Sequence, residues 1–203
     1  IVFICRMIPT KQLEKAYASF DSYNSMDPNK EKFNGVLYSK EFLYAARMTE
    51  KLKEYAPDSD EYVHLAVRCQ HIGRWEIPRS SYPMNRTGYL QWRSQLALHH
   101  AQVAEKILTE CGYDTDTIDK VKFLLQKKQL HQNPDTQLLE DVICLVFVQY
   151  YLEPFAALHE DEKVIDILKK TLKKISSRGI EEVLKISVSD KVKTLIQKAA
   201  AAG

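Results

Sequence analysis

The sequence predicts an all-α, single-domain orthogonal helix bundle with about seven to nine helices, and two observations carry this prediction. Apolar residues recur every three to four positions through most of the 203 residues, which is the period of an amphipathic helix. Glycine is scarce at six residues, whereas β-rich proteins with many turns need more of it. Short strands are therefore not required anywhere in the prediction.

Helix boundaries follow from local signals along the chain. Thr10 is a good N-cap, Pro57 stops the second helix, and Gly112 is the residue type expected just past a helix end. A polar loop at 24–35 contains the turn dipeptide Asn34-Gly35. The predicted helices run from 10 to about 24, 39 to 57, 59 to 73, 88 to 112, 116 to 129, 135 to about 153, around 164 to 172, and 189 to 200. Residues 1–9 are expected to be an N-terminal extension, and residues 10–203 one helical domain.

Composition restricts the classes of partner. The chain has 29 basic and 27 acidic residues, a net charge of +2, so a site for anions has to be local. We expect an anionic small-molecule ligand and no membrane partner, disfavour a nucleic-acid partner, and leave a homodimer open. No apolar stretch is long enough for a membrane span or a signal peptide, which predicts a location in the cytoplasm or an organelle matrix rather than secretion.

Four cysteines are widely spaced and form no Cys-x-x-Cys motif. They are Cys5, Cys69, Cys111 and Cys144. This spacing does not suggest a secreted disulfide framework. Because free cysteine is among the most buried residue types, we interpret these residues as small core side chains.

An arginine-rich segment at 68–93 reads RCQHIGRWEIPRSSYPMNRTGYLQWR. It holds five of the eight arginines of the chain and both tryptophans. Guanidinium groups match phosphate or carboxylate, and aromatic rings supply stacking faces, so the segment suits an anionic ligand with a flat group. The predicted substrate-binding residues are Arg68, Arg74, Arg79, Arg86, Arg93 and Trp75, together with Lys127 and Lys128 at the end of a later helix. The alternative is a structural loop whose arginines pair with carboxylates, with the two lysines complementing a helix dipole.

Side chains able to bind a metal lie on separate predicted helices. They are Glu41, His71, His100 and Asp141, with Glu140 adjacent to the last. Imidazole nitrogens and carboxylate oxygens are the ligands of hydrolytic divalent-metal sites, and a helix bundle can direct one from each helix to a common centre. Only one of His99 and His100 can face inward, and His71 alone is more typical of a hydrogen-bonded core histidine.

Several segments of the chain resemble the domain-of-unknown-function family 4202. The matching stretches, between Gln12 and Ser176, are QLEKAYASFDSYNSMDPN, EFLYAARMTEKL, the arginine-rich segment, LEDVICLVFVQYY and HEDEKVIDILKKTLKKIS. This resemblance brings no established activity with it.

The segment LAVRCQHIGR is also distantly similar to the doublet segment of HD-domain phosphohydrolases. Those are all-α metal enzymes whose ligands are a His, a His-Asp doublet and a late Asp on successive helices. The likeness places Gln70 and His71 in the doublet and Asp141 at the closing Asp. Glu41 falls near the first His and His100 near a later one. Since the doublet is altered and the first ligand is a carboxylate, the resemblance implies a single-metal site or a site that has lost its metal.

Two functions from different classes follow, and we favour the first. It is an HD-like, metal-dependent phosphohydrolase acting on a phosphorylated or nucleotide-like small molecule, with His71, His100 and Glu140 as catalytic residues. Its divalent metal (Mn, Fe, Zn or Mg) would be held by Glu41, His71, His100 and Asp141. The second is a non-catalytic module that binds an anionic metabolite or an acidic partner. RNA binding through the arginine-rich segment is a weaker third hypothesis.

Overall fold

The computed structural model describes residues 10–201, which form ten α-helices and one two-stranded sheet. The chain is 71% helical, which confirms the all-α prediction. It divides into two compact units, residues 1–128 and 129–203. The expected extension at residues 1–9 lies outside the described residues. Within 10–201, no helix combines the length and the apolar character needed to cross a lipid bilayer.

The first unit contains five helices and a hairpin in its described part. Their bounds are α1 (Lys11–Asn24), β1 (Lys30–Phe33), β2 (Val36–Ser39), α2 (Lys40–Tyr55), α3 (Glu61–Arg68), α4 (Arg86–Glu110) and α5 (Thr115–Leu125). Two short 3₁₀ turns, Arg74–Glu76 and Arg79–Ser81, lie between α3 and α4. The arginine-rich segment thus runs from the end of α3 through both turns into α4.

Predicted capping residues fix the ends of these helices. The Thr10 hydroxyl accepts a hydrogen bond from the Leu13 amide at 3.0 Å, which satisfies one free donor of the first turn of α1. Helix α2 ends two residues before Pro57, as predicted. Gly112 follows the end of α4 with a φ of +86°, a conformation that glycine adopts without a steric penalty.

The sequence pattern did not require any strand, but the polar loop contains a β-hairpin. Strands β1 and β2 pair antiparallel, with Lys30 opposite Ser39 and Phe33 opposite Val36. The connecting residues Asn34 and Gly35 have φ values of +47° and +82°, which is the left-handed pair that a two-residue hairpin turn requires. Strands of four residues are too short for the alternation of apolar and polar side chains to be recognised, whereas the turn dipeptide was visible in the sequence.

In the core of the first unit, α5 packs against both α3 and α4. Fully buried side chains come from every helix of this unit and from the turn after α3. They include Phe20, Met48, Leu65, Leu108 and Leu124 on the helices and Ile72 in the turn. Cys69 and Cys111 are free thiols buried in this unit, and Cys144 is a free thiol buried in the second unit. This confirms the prediction for three cysteines, while Cys5 lies outside the described residues.

The second unit is helical throughout its described part. It comprises α6 (Pro134–Val146), α7 (Leu152–Ala157), α8 (Asp161–Leu172), α9 (Ser177–Lys185) and α10 (Asp190–Ala201). The continuous helix predicted from 135 to about 153 instead changes at Phe147–Tyr151 into a π-helical turn, a feature that apolar periodicity does not reveal. Helix α9 was not predicted, because nine residues hold little more than two turns of pattern.

Candidate functional site

A cleft of about 220 Å³ opens in the first unit between the end of α3, α4 and the end of α5. We call it the arginine cleft. Its polar lining consists of Gln70, His71, Arg74, Arg93, Ser94, His100, Gln126 and Lys127. The other described residues that line it are apolar, and none of the described lining is acidic. The arginine cleft therefore brings together five of the predicted site residues, which are His71, Arg74, Arg93, His100 and Lys127.

Local structure explains how these side chains reach one place. Arg93 and His100 are seven residues apart on α4, which is two helical turns and therefore the same face. Gly73 has a φ of +66° and turns the chain between His71 and Arg74; a Cβ there would lie 2.8 Å from the His99 Nε2 atom. Glycine is thus needed both for the backbone conformation and for the close approach to α4.

His71 lies between Glu41 and Arg74 in a short polar chain. The His71 Nδ1 atom is 3.4 Å from the Glu41 carboxylate, and its Nε2 atom is 2.9 Å from the Arg74 Nη1 atom. Because a guanidinium group only donates, His71 accepts at Nε2 and carries its proton at Nδ1, facing Glu41. The ring stacks on Tyr44 with centroids 4.2 Å apart, which fixes its plane.

Burial sets the charge states in and beside the arginine cleft. It lowers the pKa of His71 well below its ordinary value, and the adjacent Arg74 lowers it further. It also lowers the pKa of His100 to about 3, although the hydrogen bond to the Ile72 carbonyl acts in the opposite direction. Both imidazoles are therefore neutral at pH 7. For Glu41 burial raises the pKa to about 7, against the attraction of Arg74.

Arg93 and Arg74 differ in their partners. The Arg74 guanidinium bonds to His71, has its Nε atom 3.9 Å from the Glu41 Oε1 atom, and lies over the Trp92 ring with 5.0 Å to the centroid. Arg93 is half-buried and makes no hydrogen bond or ion pair with any residue between 10 and 201. Its charge is thus not neutralised by a carboxylate of the described chain.

An imidazole and an amide side chain also line the arginine cleft. The His100 Nδ1 atom is 2.6 Å from the Ile72 carbonyl oxygen, so it donates there and leaves Nε2 as an acceptor. Gln70 is 5% exposed, and its Oε1 atom has no hydrogen-bond partner among the described residues. In the sequence, Gln70 was noted only because it falls in the doublet segment of the likeness to HD-domain phosphohydrolases, and it was not predicted as a site residue.

Both ring nitrogens of His71 face protein groups, a guanidinium on one side and a carboxyl group on the other, rather than a position for a metal ion. Arg74 already bonds to the His71 Nε2 atom, and the other ring nitrogen faces Glu41. In the described part of the chain, no three His, Cys, Asp or Glu side chains are grouped so that they could hold a metal ion. The divalent metal expected from the sequence stays a prediction.

Two of the predicted substrate-binding arginines form structural contacts away from the arginine cleft. Arg68 binds the Asp21 carboxylate through two nitrogens, one at 2.9 Å, and donates to the Thr49 hydroxyl at 3.2 Å. Arg79 donates to the Tyr82 carbonyl at 3.0 Å and to the Pro83 carbonyl at 2.7 Å. These contacts correspond to the alternative interpretation, in which arginines hold the loop together.

The remaining predicted residues of this unit also lie outside the lining. Trp75 packs on Tyr23 with ring centroids 5.8 Å apart. Arg86 is exposed at the first residue of α4, and Lys128 is exposed just past α5. Trp92 is more important to the site than Trp75, because it carries Arg74 on its ring and donates to the Ile77 carbonyl at 2.8 Å.

Asp141 and Glu140 belong to α6 in the second unit. Asp141 accepts hydrogen bonds from the Ser176 amide at 2.8 Å, from the Ser176 hydroxyl, and from the Gln137 side chain at 2.9 Å. It thereby holds the N-terminus of α9 beside α6. Glu140 is buried with its carboxylate 3.8 Å from the Lys174 Nζ atom. The predicted convergence of Asp141 with Glu41, His71 and His100 stays a prediction.

Comparison with known families gives one match. The model of the family described as a domain of unknown function (DUF4202) matches residues 14–196, which is most of the chain. No curated protein and no solved structure matches the sequence.

Proposed function

The chain belongs to the family described as a domain of unknown function (DUF4202), and we propose from the arginine cleft that it binds an anionic small molecule with a phosphoryl group. The observation that carries the proposal is the meeting of Arg74, Arg93 and Lys127 in a lining whose described residues include no acid. Guanidinium groups donate in a planar fork that matches phosphoryl oxygens. A concave surface with one sign of charge also concentrates the opposite charge.

Arg93 supports the proposal most directly. Its guanidinium group is half-buried and has no carboxylate partner in residues 10–201. An anion in the arginine cleft would supply the missing partner. Arg74 is held ready beside it by Trp92 and His71, so little side-chain entropy would be lost when it binds the same anion.

The size of the arginine cleft limits the ligand. Its 220 Å³ equal the liquid volume of about seven water molecules. Drug-sized ligands occupy pockets of about 300–1,000 Å³. A phosphoryl group with a short attached skeleton fits, whereas a whole nucleotide would extend past Leu90, which is 54% exposed at the rim. The near-neutral net charge of +2 also argues for a small anion over RNA.

Hydrolysis of the bound phosphoryl compound is a second candidate, as the likeness to HD-domain phosphohydrolases implies. It is favoured by Glu41, whose pKa of about 7 lets the carboxyl group gain or lose a proton near neutral pH. The neutral His71 ring links this group to the arginine cleft. A divalent metal held by His71 would require Arg74 to move away from the Nε2 atom, and its chemistry would be to activate a water.

A matched pair of arginine variants tests the binding proposal. Arg93→Gln removes a cation from the arginine cleft, and Arg86→Gln removes an exposed cation from the same helix. Binding of inorganic phosphate and of short phosphate esters is measured by titration calorimetry. Because hydrogen bonds to charged groups contribute about 1.5–3 kcal/mol, Arg93→Gln should weaken binding about tenfold or more, and Arg86→Gln less than twofold.

Two results would decide against the proposals. If Arg93→Gln binds phosphate esters as the unaltered protein does, the arginine cleft is not the anion site. Release of phosphate from p-nitrophenyl phosphate, assayed with and without Mn²⁺, separates the two candidates. Tight binding without turnover under either condition supports a binding module and contradicts the hydrolase.

A further inference from the structure

His100 presents an open ring nitrogen to the arginine cleft. Its Nδ1 atom donates to the Ile72 carbonyl oxygen at 2.6 Å, and this contact leaves the Nε2 atom without a proton. The Nε2 atom has no hydrogen-bond partner among residues 10–201, and it is accessible to solvent, unlike the buried Oε1 atom of Gln70. Because His100 is only 4% exposed and lines the arginine cleft, the accessible nitrogen lies at the wall of the cleft.

The surroundings of this nitrogen suit a phosphoryl group as its reaction partner. Arg74 and Arg93 are near enough to lower the pKa of His100, and both line the arginine cleft together with Lys127. A fully ionised phosphoryl group held by these cations has no proton to donate to the Nε2 lone pair, but its phosphorus atom is electrophilic. Catalysis of phosphoryl transfer consists mainly of positioning and of neutralising the phosphoryl charge, which these cations supply.

We propose that the His100 Nε2 atom is the nucleophile of a phosphoryl transfer, in which it takes the phosphoryl group of a bound monoester and carries it as a phosphohistidine. Histidine is one of the side chains that form covalent intermediates in catalysis. The proposal rests on the proposed anion-binding function. It gives the bound monoester a route to hydrolysis that uses only side chains of the protein and water.

In the first step the Nε2 lone pair forms a bond to phosphorus, and the ester P–O bond breaks with its electron pair going to the leaving oxygen. This oxygen takes a proton from Lys127, because the guanidinium groups of the lining do not give one up. In the second step a water attacks phosphorus, and the electron pair of the P–N bond returns to Nε2. One proton of the water stays on the inorganic phosphate, and the other restores the Lys127 ammonium group.

Ser94 also carries a nucleophile type into the lining, but it has no base. A hydroxyl group attacks well only when a neighbouring base removes its proton. The described lining holds no acid, and the His71 Nε2 atom is bonded to Arg74. His100 lies six residues further along α4, which is about 9 Å along the helix axis and too far for a hydrogen bond to Ser94. The His100 Nε2 atom attacks without losing a proton.

Acetyl phosphate with a radioactive phosphorus atom tests the proposal on the full chain, in a buffer that contains a chelator. Its acetate leaving group needs no proton, so the test does not depend on Lys127. The reaction is stopped in alkali during the first turnover, because phosphohistidine survives alkali and is cleaved by acid, whereas phosphoserine survives acid. We expect label approaching a single phosphoryl group per chain, stable in alkali and lost in acid. Peptide mapping by mass spectrometry should place it on His100.

His100→Asn is the matching variant, since the asparagine amide nitrogen can replace Nδ1 at the Ile72 carbonyl while Nε2 is removed. It should reduce labelling at least about hundredfold and leave the affinity for inorganic phosphate within about threefold. His99→Gln is the control, because the His99 Nε2 atom is 3.1 Å from the Glu76 carboxylate and His99 is not in the described lining; its labelling should be unchanged. If His100→Asn does not fold, the peptide map of the unaltered protein decides.

The outcomes separate this proposal from the proposed function. Acid-stable label on Ser94, or a first turnover without alkali-stable label, would overturn the assignment of His100 and leave the anion site in place. Turnover that requires Mn²⁺ and leaves no label would do the same. Binding of ethyl phosphate that Arg93→Gln weakens, with neither label nor turnover, would overturn phosphoryl transfer alone. Failure of inorganic phosphate and ethyl phosphate to bind would overturn the proposed function together with this proposal.

Discussion

Replacing Glu41 with Gln should remove a loss of stability that the unaltered protein shows as the pH rises through neutrality. Burial raises the pKa of Glu41 from its ordinary 4.5 to about 7, because the carboxylate loses water that Arg74 replaces only in part. The folded chain therefore binds the Glu41 proton more tightly than the unfolded chain does. This contribution to stability is fully present below pH 4.5 and is lost as the pH rises through about 7.

The magnitude follows from the two pKa values. The two values differ by about 2.5, and a pKa difference of one corresponds to 1.36 kcal/mol. The ionised form of Glu41 therefore lowers the free energy of unfolding by about 3 kcal/mol above pH 8. Because the side chain is only 8% exposed, solvent does little to reduce this value. Glutamine resembles the protonated form and has no such dependence. The lowered pKa values of His71 and His100 act in the opposite direction, and to first order they cancel between the two proteins.

Urea unfolding of both proteins between pH 5 and 8 measures the effect. Tryptophan fluorescence is a suitable signal, since Trp75 and Trp92 both lie in the first unit. The stability of Glu41→Gln relative to the unaltered protein should grow by about 2.5 kcal/mol across this range. Glu50→Gln, at an exposed site on the same helix, is the control and should show almost no such change. A difference between Glu41→Gln and the unaltered protein that stays constant with pH would refute the reasoning.

Three further predictions concern single residues. Gly88→Ala places a Cβ 2.1 Å from the Pro83 carbonyl oxygen, so it should destabilise the first unit by at least about 1 kcal/mol in the same urea assay; unchanged stability would contradict this. Asp141→Asn weakens the hydrogen bonds from Ser176, and the start of α9 should lose about 1–3 kcal/mol of protection in hydrogen exchange; retained protection would count against a structural role. The pKa of His100 is about 3, so its imidazole NMR shifts should not move between pH 5 and 8, and a titration in that range would disprove its buried neutral state.

Much of the secondary structure could be predicted because its signals are local. Thr10, Pro57 and Gly112 act on the turn of chain next to them, and they mark helix ends in the structure as the sequence suggested. The hairpin and the π-helical turn were not predicted, because elements this short carry no recognisable local pattern. Four-residue strands and one irregular turn leave too little periodic pattern to be read from the sequence.

The candidate site was predictable by residue type but not by arrangement. Arginines 68, 74 and 93 look alike in the sequence, yet Arg68 pairs with Asp21, which is 47 positions away, whereas Arg74 and Arg93 line the cleft. The sequence also showed that only one of His99 and His100 can face inward, and packing selected His100, which is buried.

The amino-acid sequence by itself determined the helical class of this protein, the ends of most helices and the cationic and imidazole side chains that are available to form a site. Only the tertiary structure decided which of those groups share a cleft, which are neutralised by a carboxylate, and which buried acceptors lack a donor. The physical reason is range: helix propensity and capping act within a few residues, whereas burial and charge pairing depend on neighbours that the fold brings together.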